Sequence, residues 1–169
     1  MSGRFYRATS GGGFPLVSQE QNDVFTIYLV RHAEKDNMSA NARDPELSDT
    51  GKLRAANMAL IFSETELKRI YSTNYIRTLS TAGPVAGNKG IEPEIYDAQD
   101  LIKFRDLLLS RKEDALVVGH SNTTSVLAGL LAGKDLPPMA DNEYDKIFVV
   151  VIFGNRTKIH VLHQGKWGD

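Results

Sequence analysis

The sequence predicts an α/β fold: a three-layer α/β/α sandwich with a mainly parallel sheet and an antiparallel C-terminal hairpin at one edge. Three observations carry this reading. Residues 24–30 (VFTIYLV) and Ala115–Gly119 (ALVVG) are short, apolar, β-branched runs of the kind that form strands buried on both faces. Between them, helical patterns alternate with shorter strand-like runs, which implies parallel strands with helices on both sides. Near the C-terminus, Lys146–Phe153 and residues 157–163 flank Gly154-Asn155, the signature of a hairpin.

Taken in order, residues 24–30 form the first strand and residues 31–47 a polar loop. Ser48 is placed to cap a helix running to about Phe62, with Leu53, Ala56, Leu60 and Ile61 as its apolar face. Arg69–Ser72 is a short strand. Residues 74–88 read as a helix that Pro84 should kink or shorten, because proline lacks an N–H and clashes with the preceding turn. Residues 93–96 make another short strand. Residues 98–110 are amphipathic, with Leu101, Phe104, Leu107 and Leu108 on one side. Ala115–Gly119 is the second buried strand, followed by a helix over residues 122–132 that ends at Gly133. Residues 1–23, with Gly11-Gly12-Gly13, read as a flexible or loosely docked arm ahead of one domain over residues 24–169.

The chain has 169 residues, 20 basic and 21 acidic side chains, and no cysteine. Disulfides and thiolate chemistry are thereby excluded. The charge balance argues against nucleic acid as a partner, since such binders normally carry a basic surplus. The longest apolar run, residues 147–153, is far short of the ~20 residues a membrane span requires. No membrane association is expected. The first 23 residues hold no apolar stretch behind Arg4 and Arg7, so they do not read as a signal peptide. A soluble protein is expected, cytoplasmic or, if a signal has been removed, periplasmic. Oligomeric state is not legible.

In sheets of this kind, ligands bind outside the carboxyl ends of the strands, where the strand order switches. His32 and His120 each follow a buried strand, so one crevice can receive both. Arg31-His32-Ala33-Glu34-Lys35 combines an imidazole with a guanidinium. A histidine nucleophile needs a neutral ring with one nitrogen aimed at phosphorus and the other held by an acceptor. It also needs cations for the charge on the phosphoryl oxygens. Taken alone, the five residues also fit an exposed charged loop. Residues 71–78 (YSTNYIRT) run from a strand end into a helix, whose first turn favours an anion and brings Arg77 near it. Gly119-His120-Ser121-Asn122-Thr123 is not a nucleophile elbow. Thr123 stands where that motif requires glycine, so Ser121 is expected to be structural or a helix cap. His160 and His163, three apart on a strand, point to opposite faces and make no metal pair. Asp36, Asp44 and Asp49 lack a recognised ligand spacing. Neither a metal nor a cofactor is expected.

Together these pieces resemble the histidine phosphatase superfamily, the phosphoglycerate mutase-like proteins. The matching segments are Leu29-Val30-Arg31-His32-Ala33-Glu34-Lys35, Leu47-Ser48-Asp49-Thr50-Gly51, Tyr71-Ser72-Thr73 with Arg77-Thr78 and Thr81-Ala82, and Val118-Gly119-His120-Ser121-Asn122. They stand in the family's order and span residues 25–153, and the ordered set is specific although each piece alone is weak. The family usually has glycine where Ala33 stands.

The resemblance implies a metal-independent phosphatase in which His32 becomes phosphorylated and Arg31, Arg77 and His120 complete the phosphate pocket. The expected partner is a small phosphorylated substrate or a phosphoprotein; phosphomonoesters and phosphohistidine both remain open. Asn37 and Asn122 are candidates to donate hydrogen bonds to substrate. The general acid is expected at Asp97, directly after the strand residue Tyr96, with Asp100 and Glu34 as alternatives; helix capping is the competing role for Asp97. A phosphoramidate, whose leaving nitrogen can already be protonated, needs little acid. Long insertions of the mutase type are absent, so the compact, bacterial-type phosphatases are the better match. A mutase-type phosphotransferase and a non-catalytic phosphate-binding module of the same fold are the alternatives.

Overall fold

The computed structural model describes residues 23–165. The element order is β1 (Val24–Arg31), α1 (Asp49–Ile61), β2 (Arg69–Ser72), α2 (Ile76–Lys89), β3 (Glu94–Ile95), α3 (Leu101–Arg111), β4 (Ala115–Gly119), α4 (Thr124–Ala132), β5 (Lys146–Phe153) and β6 (Arg156–His163). The six strands form one sheet in the order β3-β2-β4-β1-β5-β6. The first four are parallel; β5 runs antiparallel to β1, and β6 antiparallel to β5. The expected α/β sandwich with its antiparallel hairpin edge is the observed fold. Of the expected arm at residues 1–23, all but Asp23 lies outside the described residues.

Both faces of the sheet are covered, which is why the central strands read as unbroken apolar runs. On one face, Val30, Ile70, Leu116 and Val118 pack against Met58 and Phe62 of the α1 segment and Ala82 and Val85 of α2. On the other, Ile27, Leu29 and Val117 pack against Phe104 and Leu108 of α3 and Leu127 and Leu131 of α4. Each such aliphatic side chain taken fully from water contributes roughly 1.5–3 kcal/mol.

Three local expectations need correction. The apolar face assigned to α1 is turned outward: Leu53 is 62% exposed and Leu60 73%, and Ala56 and Ile61 are also exposed. The buried stripe is Gly51, Arg54, Ala55, Met58 and then Phe62. It was concealed because its second member is an arginine, which is buried through an ion pair described below. Pro84 does not shorten α2, which continues to Lys89 and closes on Gly90 in the left-handed conformation. The helix after β4 starts at Thr124, with Thr123 rather than Ser121 at its cap position.

The strand order positions the site. β4 lies between β1 and β2, so the loops after β1 and β4 leave neighbouring parallel strands at the same end. Arg31 is in register with Gly119. The His32 N–H donates to the Gly119 carbonyl at 2.8 Å, continuing the ladder one residue beyond the strand. The loops carrying the two histidines thus begin side by side.

Candidate active site

His32 is only 4% exposed. Its Nδ1–H is placed to donate to the Ala33 carbonyl at 2.7 Å. A ring held that way keeps its lone pair on Nε2. Burial pushes its pKa down to about 3, and the charges of Arg31, His120 and Arg77 act in the same direction against the opposing backbone hydrogen bond. The ring is therefore neutral at pH 7. The Ala33 N–H donates to Thr81 Oγ1 at 2.9 Å, and that hydroxyl donates to the Arg77 carbonyl at 2.7 Å. This pair docks the histidine loop on α2. Ala33 fits where glycine is usual: its methyl is fully buried beside Leu47 and Ala55. Among the described residues, only Lys112 is a non-glycine with positive φ, so Ala33 carries no left-handed strain.

The motif Leu47-Ser48-Asp49-Thr50-Gly51 supports this loop from below. The Ser48 N–H donates to the Glu34 carbonyl at 2.9 Å, and the Ser48 hydroxyl caps α1 by accepting from the Gly51 N–H at 3.1 Å. A Cβ on Gly51 would lie 2.2 Å from the Glu34 carbonyl oxygen, so only glycine lets α1 approach so closely. The Glu34 carboxylate is engaged by Arg54, with Nε at 2.9 and 3.0 Å from its oxygens and Nη2 at 2.6 Å. Glu34 thus anchors α1 and is not aimed at the cavity.

Arg31 is also 4% exposed. Its Nη1 donates to the carbonyls of Ala140, Asp141 and Glu143 at 2.9–3.0 Å, and its Cζ sits 4.0 Å from the centroid of the Tyr144 ring. Its Nε is buried with no hydrogen-bond partner among the described residues. A buried guanidinium donor left unmatched is costly unless a ligand completes it. The Nε–Nη2 edge is the fork that takes an oxyanion by two parallel hydrogen bonds.

Arg77 enters from the first turn of α2. Its Nη1 donates to Asp44 Oδ1 at 3.1 Å, its Nη2 lies 3.5 Å from His120 Nδ1, and its Cζ is 4.4 Å from the Tyr75 ring centroid. Both Asp44 oxygens accept from the Ile76 N–H at 3.0 Å. The anion expected at this helix N-terminus is therefore a carboxylate of the chain itself. His120 Nε2 is 2.8 Å from Thr73 Oγ1, which is 2.9 Å from Thr78 Oγ1. Burial pushes the His120 pKa down to about 4, assisted by Arg77 and Arg31 and opposed by Asp44. The two histidine rings meet edge to face at 5.5 Å between centroids.

Arg31, His32, Arg77 and His120 line one cavity of about 400 Å³, together with Tyr75 and Asp141. Asn122 and Ser121 line it as well; Asn37 does not, lying exposed on the preceding loop. Asp97, the expected acid, is exposed, accepts from the Gln99 N–H at 2.9 Å and lines a neighbouring cavity instead. A tight turn holds its carboxylate on that side, while its successors Ala98 and Gln99 reach the His32 cavity. Asp100 caps α3 through the Lys103 N–H. His163 pairs with Asp145 at 2.8 Å. Asp44, Arg54, Asp141 and Tyr144 had no site role in the sequence reading. For Asp44 too there was no local signal: α2 lacks a capping side chain of its own, and Asp44 stands 32 positions before the Ile76 N–H that it accepts from.

A sequence model of the histidine phosphatase superfamily (branch 1) matches residues 27–107. No curated protein matches the chain. Among solved structures, the protein histidine phosphatase SixA in complex with tungstate superposes with a TM-score of 0.68 at 16% identity, covering 83% of this chain and 97% of that one. A mycobacterial glucosyl-3-phosphoglycerate phosphatase gives 0.66 at 14% identity, covering 84% and 100%. The alpha-ribazole phosphatase of Shigella flexneri gives 0.67 at 14% identity, covering 82% and 96%. At these identities the structural likeness is one of fold, and it extends past the residues matched by the family model to the strands and loops that carry His120. In its ordered motifs and over residues 27–107 this chain is thus similar to the histidine phosphatase superfamily (branch 1), and its fold is the one shared by these phosphatase structures.

Proposed function

We propose that this protein is a phosphatase that passes a phosphoryl group through His32 to water. The observation that carries the reading is a neutral, buried imidazole, its Nδ1 tied to a backbone carbonyl and its Nε2 free, placed among two guanidiniums and a second imidazole. Nε2 attacks phosphorus while the bond to the leaving group breaks. Water then attacks the phosphohistidine, and the N–P electron pair returns to Nε2. Arg31 offers its unmatched Nε edge and Arg77 its Nη2 to the phosphoryl oxygens, the electrostatic role that arginine serves in phosphoryl transfer. Thr78 gives its one hydroxyl proton to the carbonyls of Thr73 and Tyr75, so Thr73 donates to Thr78 and accepts from His120 Nε2–H, which leaves His120 Nδ1 as an acceptor facing Arg77 Nη2. These charges are supplied by the chain itself, so the reaction is proposed to need no metal.

Structures named as a protein histidine phosphatase, a glucosyl-3-phosphoglycerate phosphatase and an alpha-ribazole phosphatase share this fold. The substrate of this chain is accordingly proposed only as a phosphomonoester or phosphohistidine, on a small molecule or a protein. Hydrolysis of p-nitrophenyl phosphate in the presence of EDTA, abolished by His32→Ala, tests the reading. Undiminished turnover in His32→Ala would refute it.

A further inference from the structure

We infer that Asp141 is the proton donor to the leaving group, an inference that rests on the phosphatase reading above. Among the described residues lining the His32 cavity, Asp141 is the one carboxylate. Its side chain makes no hydrogen bond or ion pair with any other described residue, and it is exposed to the cavity mouth. Every other nearby carboxylate among the described residues is committed elsewhere. Glu34 is held by Arg54, and Asp44 by Arg77 and the α2 N-terminus. Asp97 is folded into its own turn over the neighbouring cavity, and Asp100 caps α3. Glu143 accepts from the Ala140 N–H at 2.8 Å and pairs with Lys146.

The backbone fixes where Asp141 stands. The Met139 N–H donates to the Ser121 carbonyl at 2.8 Å, joining this segment to the His120 loop, and the Glu143 N–H closes a turn onto the Ala140 carbonyl at 3.0 Å. Arg31 Nη1 binds the carbonyls on both sides and that of Asp141 itself at 2.9 Å. The same arginine that faces the phosphoryl group thus holds the acid at the rim of its cavity. Because the grip is on the main chain, it survives replacement of the Asp141 side chain.

His32 Nε2 forms its bond to phosphorus as the bond to the leaving oxygen breaks. The Asp141 carboxyl gives its proton to that oxygen, which departs as an alcohol. In the second step water attacks phosphorus, its proton passes to the Asp141 carboxylate, and inorganic phosphate leaves with His32 neutral again. The second transition state is loose and its leaving group is an imidazole, so the carboxylate matters mainly in the first step.

The test is single-turnover release of the leaving group from glycerol phosphate and from p-nitrophenyl phosphate, with thermal unfolding recorded for each variant. Asp141→Asn should slow alcohol release by about 10²–10⁴-fold, the usual worth of a positioned acid, and nitrophenol release by less than about 10-fold. Asp141→Glu should recover part of the alkyl activity, and Asp97→Asn should leave the substrate ratio unchanged. Equal loss on both substrates, no loss on either, or a wild-type protein active only on the aryl ester would overturn the assignment. A wild-type protein that releases neither leaving group would instead overturn the phosphatase reading itself.

Discussion

The Asp44 carboxylate holds Arg77, Oδ1 to Nη1 at 3.1 Å, with the same oxygens that cap α2 on the Ile76 N–H. One side chain therefore serves both the helix and the orientation of a guanidinium that lines the His32 cavity. Asp44→Ala should lose about 1 kcal/mol of stability through the cap. It should also lower kcat/KM by roughly 10-fold as Arg77 loses its fixed orientation. Arg77→Ala should cost about 10²–10³-fold by analogy with the loss of an oxyanion donor, and Arg77→Lys should recover little, because a point charge does not reproduce the planar fork. A double-mutant cycle checks the coupling: in the Arg77→Ala background, Asp44→Ala should lower stability and leave kcat/KM nearly unchanged. Additive losses in kcat/KM would mean that Asp44 acts independently of Arg77.

Gly51→Ala should be disproportionately harmful for the addition of one methyl. Its Cβ would meet the Glu34 carbonyl oxygen at 2.2 Å, a methyl against main chain, with no flexible side chain to yield. Overpacking of this kind costs typically about 1–3 kcal/mol. Here the displaced atom belongs to the loop that begins at His32, so activity should fall more than the loss of folded protein explains. Chemical denaturation and the activity per folded molecule, measured together, separate the two effects. Wild-type values for both would show that α1 can withdraw without disturbing the loop.

Both site histidines should remain neutral well below the usual range, with pKa values of about 3 for His32 and about 4 for His120. In the unfolded chain each takes a proton near 6.5. As pH falls below that value the unfolded state binds protons that the folded state refuses, so stability declines toward pH 4 and is recovered as pH rises to neutrality. His32→Ala should flatten that dependence. A bound phosphoryl dianion favours the charged imidazoles and should raise both values. Imidazole NMR resonances followed from about pH 5 to 8 check this directly. Titration of His32 near 6.5 in the free protein would contradict the burial argument.

The strand ends, the two histidines and the arginines beside them were legible because each lies at a boundary between a buried apolar run and a polar loop. What sequence reading missed depends on pairings between loops. Nothing local marks Arg54 as buried, because its partner, Glu34, stands 20 positions away on a different element, and without it the buried stripe of α1 is hidden. Asp44 looked like one more loop carboxylate until the fold brought it to the N–H of Ile76. Asp97 stands directly after the β3 segment, but a hydrogen bond to the Gln99 N–H turns its carboxylate toward the neighbouring cavity, a choice made by one turn and invisible to motif position.

A covalent phosphoryl group on His32 is tested most directly by trapping it. Protein quenched during turnover of a labelled phosphate ester should carry the label at alkaline pH and lose it in acid, as a phosphoramidate does. Peptide mapping of the alkaline-quenched protein should place it on His32, and His32→Ala should carry none. An acid-stable label, or one mapped to Ser72 or Ser121, would contradict the account.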